Sequence, residues 1–203
     1  MRPITKVSGF TLLEMILVLV VISAILIATF VFYPRVRDAA QSKTEADLMK
    51  SIAGEVRRLY PMRNYSPLTS GDLLGGGAVP EGFQTPPTSE QNSAVGSVLS
   101  NRWGATIEVY PSLADGTPVP PSATGNVPFF TVRYWGASPG LCRSMVAQLL
   151  GFAEAVIVDD GAVNDDFRVV KNTYENIEAD GAATALGCQD VDGVNPRVMI
   201  VSD

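Results

Sequence analysis

One carboxylate stands where charge is disfavoured. Residues 10–33 form an apolar run of 24 residues, interrupted by Thr11, Glu14, Ser23 and Thr29 and closed by Tyr33, and Glu14 is its only charge. An acidic side chain at mid-depth in a membrane helix costs on the order of 2.5–3.5 kcal/mol and persists where it finds a partner. Hydroxyls can bond back to a carbonyl one turn earlier, whereas an ionised carboxylate only accepts. The fixed cations are Arg2 and Lys6 before the run and Arg35 and Arg37 beyond it. A nearer cation arises by proteolysis. Hydrolysis of the Gly9–Phe10 bond would leave an α-amine on Phe10 about one helical turn from Glu14, able to pair with it in the same chain or a neighbouring one.

The element that must carry this carboxylate is a helix. At about 1.5 Å per residue the run spans roughly 36 Å, enough to cross a hydrocarbon layer of ~30 Å. An ordinary secretory signal has an apolar segment of about 7–15 residues closed by a small-x-small site, and neither feature fits. An uncleaved anchor fits the length but leaves Glu14 without a counter-ion. Basic residues flank both ends of the span, so charge alone does not orient it.

The stretch Lys6-Val7-Ser8-Gly9-Phe10-Thr11-Leu12-Leu13-Glu14, followed by an apolar helix, resembles the class III signal of type IV pilins and their pseudopilin relatives. The resemblance implies that a prepilin peptidase cuts after Gly9 and that Phe10 becomes the N-methylated terminus. It further implies that Glu14 neutralises a neighbouring subunit's terminus during assembly. Later motifs, Asn101-Arg102-Trp103-Gly104, Phe130-Thr131-Val132 and Cys142 after Pro139, resemble type IVb pilins, particularly the thin-pilus pilins of conjugative plasmids. The nine-residue leader and Phe10 match the type IVa pattern instead. Partners implied are further copies of the chain in a helical filament, the peptidase, an assembly ATPase and an inner-membrane platform protein, with membrane lipid before assembly. The chain would sit in the inner membrane as a single-pass protein and then on the cell surface. A type II secretion pseudopilin or minor pilin shares the signal; a membrane-anchored binding module or sensor is a different class. Whether the filament serves adhesion, conjugation, aggregation or motility is left open.

The expected organisation is a leader over 1–9, a transmembrane and filament-core helix over 10–33, its amphipathic continuation over 34–60 and a globular head over 61–203. Pro34 predicts a kink. Beyond it Val36, Ala40, Leu48, Ile52, Val56 and Leu59 recur near a 3.6-residue period, with Arg37, Lys43, Glu45, Lys50, Arg57 and Arg58 on the other faces. Pro61 ends the helix. Proline and glycine make 61–88 a surface connection, and a short helix is expected over 89–100. Strands are expected over 105–110, 129–134, 156–158 and 197–201, and a helix over 139–150. The fold class is α+β, the pilin fold: a long N-terminal helix packed on an antiparallel sheet, with a disulfide-closed C-terminal region. The resemblance pairs Cys142 with Cys188, as does export from the cytoplasm; two buried free thiols are the alternative. Such a loop of 47 residues would be worth about 4 kcal/mol in the chain-entropy model.

Composition disfavours other chemistry. The chain has no histidine, which removes the commonest triads and acid–base schemes, so no enzyme activity and no cofactor is implied. Gly75-Gly76-Gly77 lacks the Lys-Ser/Thr of a phosphate loop. Without its first nine residues the chain holds 13 basic and 21 acidic residues, and residues 144–203 hold 3 basic and 11 acidic, a net of −8 in each case. Direct nucleic-acid binding needs cationic patches and gains no support. Asp159-Asp160, Asp165-Asp166 and the run from Asp190 to Asn195 have oxygen ligands but depart from a full calcium loop. They read as solvated acidic loops, with no metal site. Trp103 and Trp135 read as core aromatics.

Overall fold

The computed structural model describes residues 11–74, 79–80, 83, 99–120, 125–159, 167–189 and 195–203. The chain divides into two compact units, Met1–Arg37 and Asp38–Asp203, and helix α1 (Leu12–Leu59) contributes to both. The first unit contains the apolar half of α1. Helical assignment continues through Pro34 and stops two residues before Pro61, a residue that cannot continue a hydrogen-bonded helix.

The second unit is built on an antiparallel sheet of β1 (Leu99–Ser100), β2 (Thr106–Ser112), β3 (Phe129–Tyr134), β4 (Ala155–Asp159), β5 (Phe167–Asn172) and β6 (Arg197–Ser202). The spatial order is β1-β2-β3-β6-β4-β5. Register aligns Val109, Val132, Ile200 and Val156 across four strands, which places one apolar row on the face toward the helices. From α1, Ala46, Met49, Ile52, Ala53 and Val56 are fully buried in that cluster. Helix α2 (Pro139–Leu149) adds Leu141, Met145, Val146 and Leu149, its N-terminus capped by the Ser138 hydroxyl. Each such aliphatic side chain contributes roughly 1.5–3 kcal/mol when removed from water.

The opposite face buries a smaller cluster of Ala155, Ile157, Met199 and Val201. The turn after β2 lies against it at Gly116, whose φ of +83° suits glycine and whose missing Cβ would stand 3.1 Å from Ile157 Cδ1. Helix α3 (Gly181–Gly187), capped by the Asp180 carboxylate, leads to Cys188, which is bonded to Cys142 with Cα atoms 5.6 Å apart.

Several expectations are corrected. The helix expected over 89–100 ends instead in a strand, since Leu99 and Ser100 pair with Ile107 and Thr106; residues 89–98 lie outside the described ones. The 61–88 connection is not wholly superficial, because Tyr65, Leu68, Leu73 and Val79 are buried core residues set among prolines and polar groups. Val36 and Ala40 are exposed, so the buried face begins later, at Ser42.

Candidate functional site

Between Leu12 and Phe30 the helix is apolar and long enough to cross a membrane, and none of those 19 residues is buried within the chain. Exposure reaches 79% at Leu12 and 78% at Phe30. This is an uncovered apolar surface far beyond the few hundred Å2 a monomeric soluble protein normally leaves in one patch. Its hydroxyls are internally satisfied, as the sequence suggests: Ser23 Oγ donates to the Leu19 carbonyl at 2.7 Å and Thr29 Oγ1 to the Ile25 carbonyl at 2.8 Å. The surface is therefore suited to lipid tails or to other apolar helices, which compete for it on nearly equal terms.

Glu14 sits in the first turn. Its backbone N–H donates to the Thr11 carbonyl at 3.1 Å and to Thr11 Oγ1 at 3.3 Å, while the Thr11 N–H and hydroxyl point back at Glu14 Oε2 at 3.4 and 3.5 Å. This is a capping box, in which a threonine N-cap and a glutamate three residues on satisfy each other's donors. The expectation that Glu14 lacks any local partner is thus corrected. Its carboxylate has weak neutral donors in its own chain and lacks a cation among the described residues of the first turn. Thr11-Leu12-Leu13-Glu14 before an apolar run is the sequence signature of such a box. Gly9 and Phe10 lie outside the described residues.

In the second unit a buried polar cluster fixes α1 to the sheet. Glu45, expected on a solvated face, has no exposed surface. Tyr134 on β3 donates its hydroxyl to Glu45 Oε2 at 3.0 Å, and Arg102 Nε forms an ion pair with Oε1 at 2.7 Å. Burial raises the Glu45 carboxyl above the usual carboxylate range, against the opposing pull of Tyr134 and Arg102. The same burial, reinforced by the Glu45 charge, raises the Tyr134 phenol.

Arg102 is held by its turn. Asn101 Oδ1 accepts from the N–H groups of Trp103 and Ala105, both at 3.0 Å, and Asn101 Nδ2 donates to the Trp135 carbonyl at 2.9 Å. Across this junction Gly136 has φ +73°, and a Cβ there would stand 2.9 Å from the Ala105 Cβ. The Asn-Arg-Trp-Gly motif is therefore a scaffold for Arg102. Trp103 is 44% exposed rather than a core residue, because the turn that aims Arg102 inward projects its neighbour outward. Trp135 is half-buried, and the Arg197 guanidinium lies 4.5 Å from its ring centroid.

Asp159 is likewise no solvated loop residue. It is fully buried at the end of β4, opposite and ion-paired with Arg197 of β6. A matched pair across neighbouring strands hides its charge from any composition-based reading. Asp160, Asp165, Asp166 and residues 190–194 lie outside the described residues. Among the described residues there is no group of three or more His, Cys, Asp or Glu able to hold a metal ion.

No family model matches the chain, and no curated protein matches it significantly. Solved structures do. TcpA, a type IV pilin from Vibrio cholerae El Tor biotype, superposes with a TM-score of 0.51 at 12% identity, over 82% of this chain and 99% of that one. The type IVb pilin from Salmonella typhi superposes with a TM-score of 0.51 at 16% identity, over 78% and 97%. The chain therefore has the fold of a type IVb-like pilin: α+β, with an apolar N-terminal helix, an antiparallel six-stranded sheet and a Cys142–Cys188 disulfide.

Proposed function

We propose that the chain is the structural subunit of a type IV pilus. The observation that carries this reading is an apolar helix of membrane-spanning length with no buried side chain, in a chain whose remainder takes the pilin fold. In the membrane, lipid tails cover that surface; in a filament, the same helices of other copies do, and lipid contacts are exchanged for helix–helix packing. Prepilin peptidase cuts between Gly9 and Phe10 and methylates the Phe10 amine, dividing the chain into the leader 1–9, the core helix 10–33, its continuation 34–60 and the head 61–203. An assembly ATPase and platform protein extract the subunit from the inner membrane to the surface.

Glu14 supplies the assembly register. Its capping-box contacts with Thr11 are long and neutral, so the Phe10 amine of a neighbouring subunit is a stronger partner. Glu14→Gln keeps the capping geometry and removes the charge. It should be cleaved normally yet yield at least about tenfold fewer sheared filaments, since about 1.4 kcal/mol per contact changes an association constant tenfold. Normal filament yield from this variant would sink the assignment. N-terminal mass spectrometry of the same filaments checks the cut at Gly9 and the methyl group on Phe10. Copy number per filament separates a major subunit from a minor pilin or pseudopilin.

A further inference from the structure

A pocket of about 450 Å3 opens where α1 ends, lined by Arg57, Tyr60, Arg63, Tyr65, Glu154 and Asp203. Tyr65 forms its floor. The residue is fully buried, and its hydroxyl has no hydrogen-bond partner. Buried phenolic hydroxyls usually find one, and an orphaned group costs roughly 1–3 kcal/mol. The ring cannot turn away, being wedged against Phe130 at 4.8 Å and Tyr60 at 5.9 Å between centroids. Burial raises the phenol's pKa, and Arg57, Asp203, Arg63 and Glu154, which line the same pocket, are the charges near enough to act on it.

Those walls alternate in sign. Arg57 Nε donates to the Asp203 main-chain oxygen at 3.0 Å, and its Nη2 lies 3.4 Å from both Glu154 carboxylate oxygens and reaches the Ser202 hydroxyl. Arg63 Nη1 pairs with Asp203 Oδ2 at 2.6 Å. The side-chain charges of Arg57, Arg63, Glu154 and Asp203 cancel, and each guanidinium already faces a carboxylate, so the side chains offer an anion no unpaired cation. A guanidinium has five N–H donors and a carboxylate about four acceptor positions; Arg57 and Glu154 keep a minority of theirs unused, Glu154 also accepting from Ser202 at 2.7 Å, whereas Arg63 and the Asp203 side chain keep most of theirs. What remains is a set of unused donors and acceptors side by side against tyrosine rings. A ligand bearing adjacent hydroxyls, each both donor and acceptor, can add to both kinds without separating the Arg57–Glu154 pair.

The mouth is formed by Arg63, held at a φ of +52° in the turn after α1, where its N–H bonds the Tyr60 carbonyl. Glycine is the usual residue for that backbone conformation. Arg63 there carries a side chain that is 66% exposed and tied to Asp203, and release of that surface contact would open the way to the Tyr65 hydroxyl.

We propose that this pocket binds a neutral saccharide unit. Vicinal hydroxyls bridge Arg57 and Glu154, another hydroxyl pairs with Tyr65, and an apolar sugar face rests on Tyr60. The site lies within one chain and does not depend on the filament reading, so the test uses the unassembled full-length chain in micelles of a detergent without a sugar headgroup.

The probes are the methyl α-pyranosides of glucose, galactose and mannose, and N-acetylglucosamine, followed by saturation-transfer NMR. At least one should show saturable transfer in the millimolar range. Tyr65→Phe, which keeps the ring packing, should weaken binding roughly tenfold. Arg63→Ala, at an exposed position, should change affinity without unfolding the chain, as checked by circular dichroism. The proposal is overturned if none of the four sugars gives saturable transfer, if Tyr65→Phe binds as the parent does, or if sulfate or glycine displaces the bound sugar at equal concentration.

Discussion

Removing Arg102 and neutralising Glu45 should have very different effects, although both abolish the same ion pair. Glu45 is fully buried between α1 and the sheet, and its carboxylate depends on Arg102 at 2.7 Å and Tyr134 at 3.0 Å. In Arg102→Ala a buried charge keeps only the tyrosine. Breaking a fully buried pair costs about 3–5 kcal/mol, but the Arg102 side chain is 38% exposed, and solvent screening reduces the expected loss to about 2 kcal/mol. For a domain of this size that lowers Tm by roughly 4–8 °C.

In Glu45→Gln the tyrosine keeps an acceptor, the arginine reaches solvent, and the desolvation penalty disappears, so Tm should stay within about 2 °C. The pH dependence follows from the raised carboxyl. The folded state holds the Glu45 proton more tightly than the unfolded chain. The contribution of this group is therefore fully present below the unfolded value of about 4.5 and is lost as pH rises through the folded one. Thermal melts of the parent between pH 4 and 7 should contain a component falling in that window. Glu45→Gln should lack it. If Glu45→Gln melts as low as Arg102→Ala at neutral pH, the cluster does not work as described.

Reducing Cys142–Cys188, or replacing both cysteines with alanine, should cost about 3–4 kcal/mol, read as a drop in denaturant midpoint with a slope that rises as the unfolded chain loses its cross-link. An unchanged midpoint would mean that the segment is held by packing alone. Thr11→Val removes the hydroxyl from the capping box and should destabilise the first turn by about 1 kcal/mol. Faster amide exchange at Glu14 measures this, and unaltered exchange contradicts it. Gly136→Ala adds a Cβ at positive φ, 2.9 Å from Ala105, and should lose about 2–3 kcal/mol by calorimetry. A Tm equal to the parent's would show that the Trp135–Gly136 junction shifts freely.

The elements with concentrated β-branched or aromatic residues were legible: β3 spans the expected positions, β4 and β6 extend the expected ones by one residue at one or both ends, and β2 begins one residue later and ends two later than expected. Helix α2 was equally plain from its apolar stripe, the expected 139–150 exceeding the observed end by one residue. Strand β5 was missed because Phe167-Arg168-Val169-Val170-Lys171-Asn172 is an edge strand paired across a register shift, with Lys171 turned in to the Leu150 and Ala153 carbonyls, and so lacks the alternation that marks a half-buried ladder. Helix α3 was missed because seven residues of Gly, Ala, Thr and Leu have little periodicity of their own. Its position depends on the disulfide and on Gly187, where an added Cβ would sit 3.0 Å from the Val158 Cβ.

Charged residues hid most effectively. Glu45 and Asp159 look solvent-facing until Arg102 and Arg197 are seen beside them, and those partners lie 57 and 38 positions away in the chain. The apolar helix and Glu14 needed no structure to identify, and the Thr11–Glu14 contacts follow the three-residue spacing of a capping box that the sequence also carries.

The strand order also constrains how the domain is made. Strand β6 is the last element in the chain and lies between β3 and β4, where it stitches a β1–β3 meander to the β4–β5 hairpin. Neither half-sheet can hydrogen-bond the other directly, so residues 197–202 act as the keystone of a non-local closure, a topology associated with slow folding. Both cysteines precede that strand, so the covalent loop is available for closure while the sheet is still in two pieces.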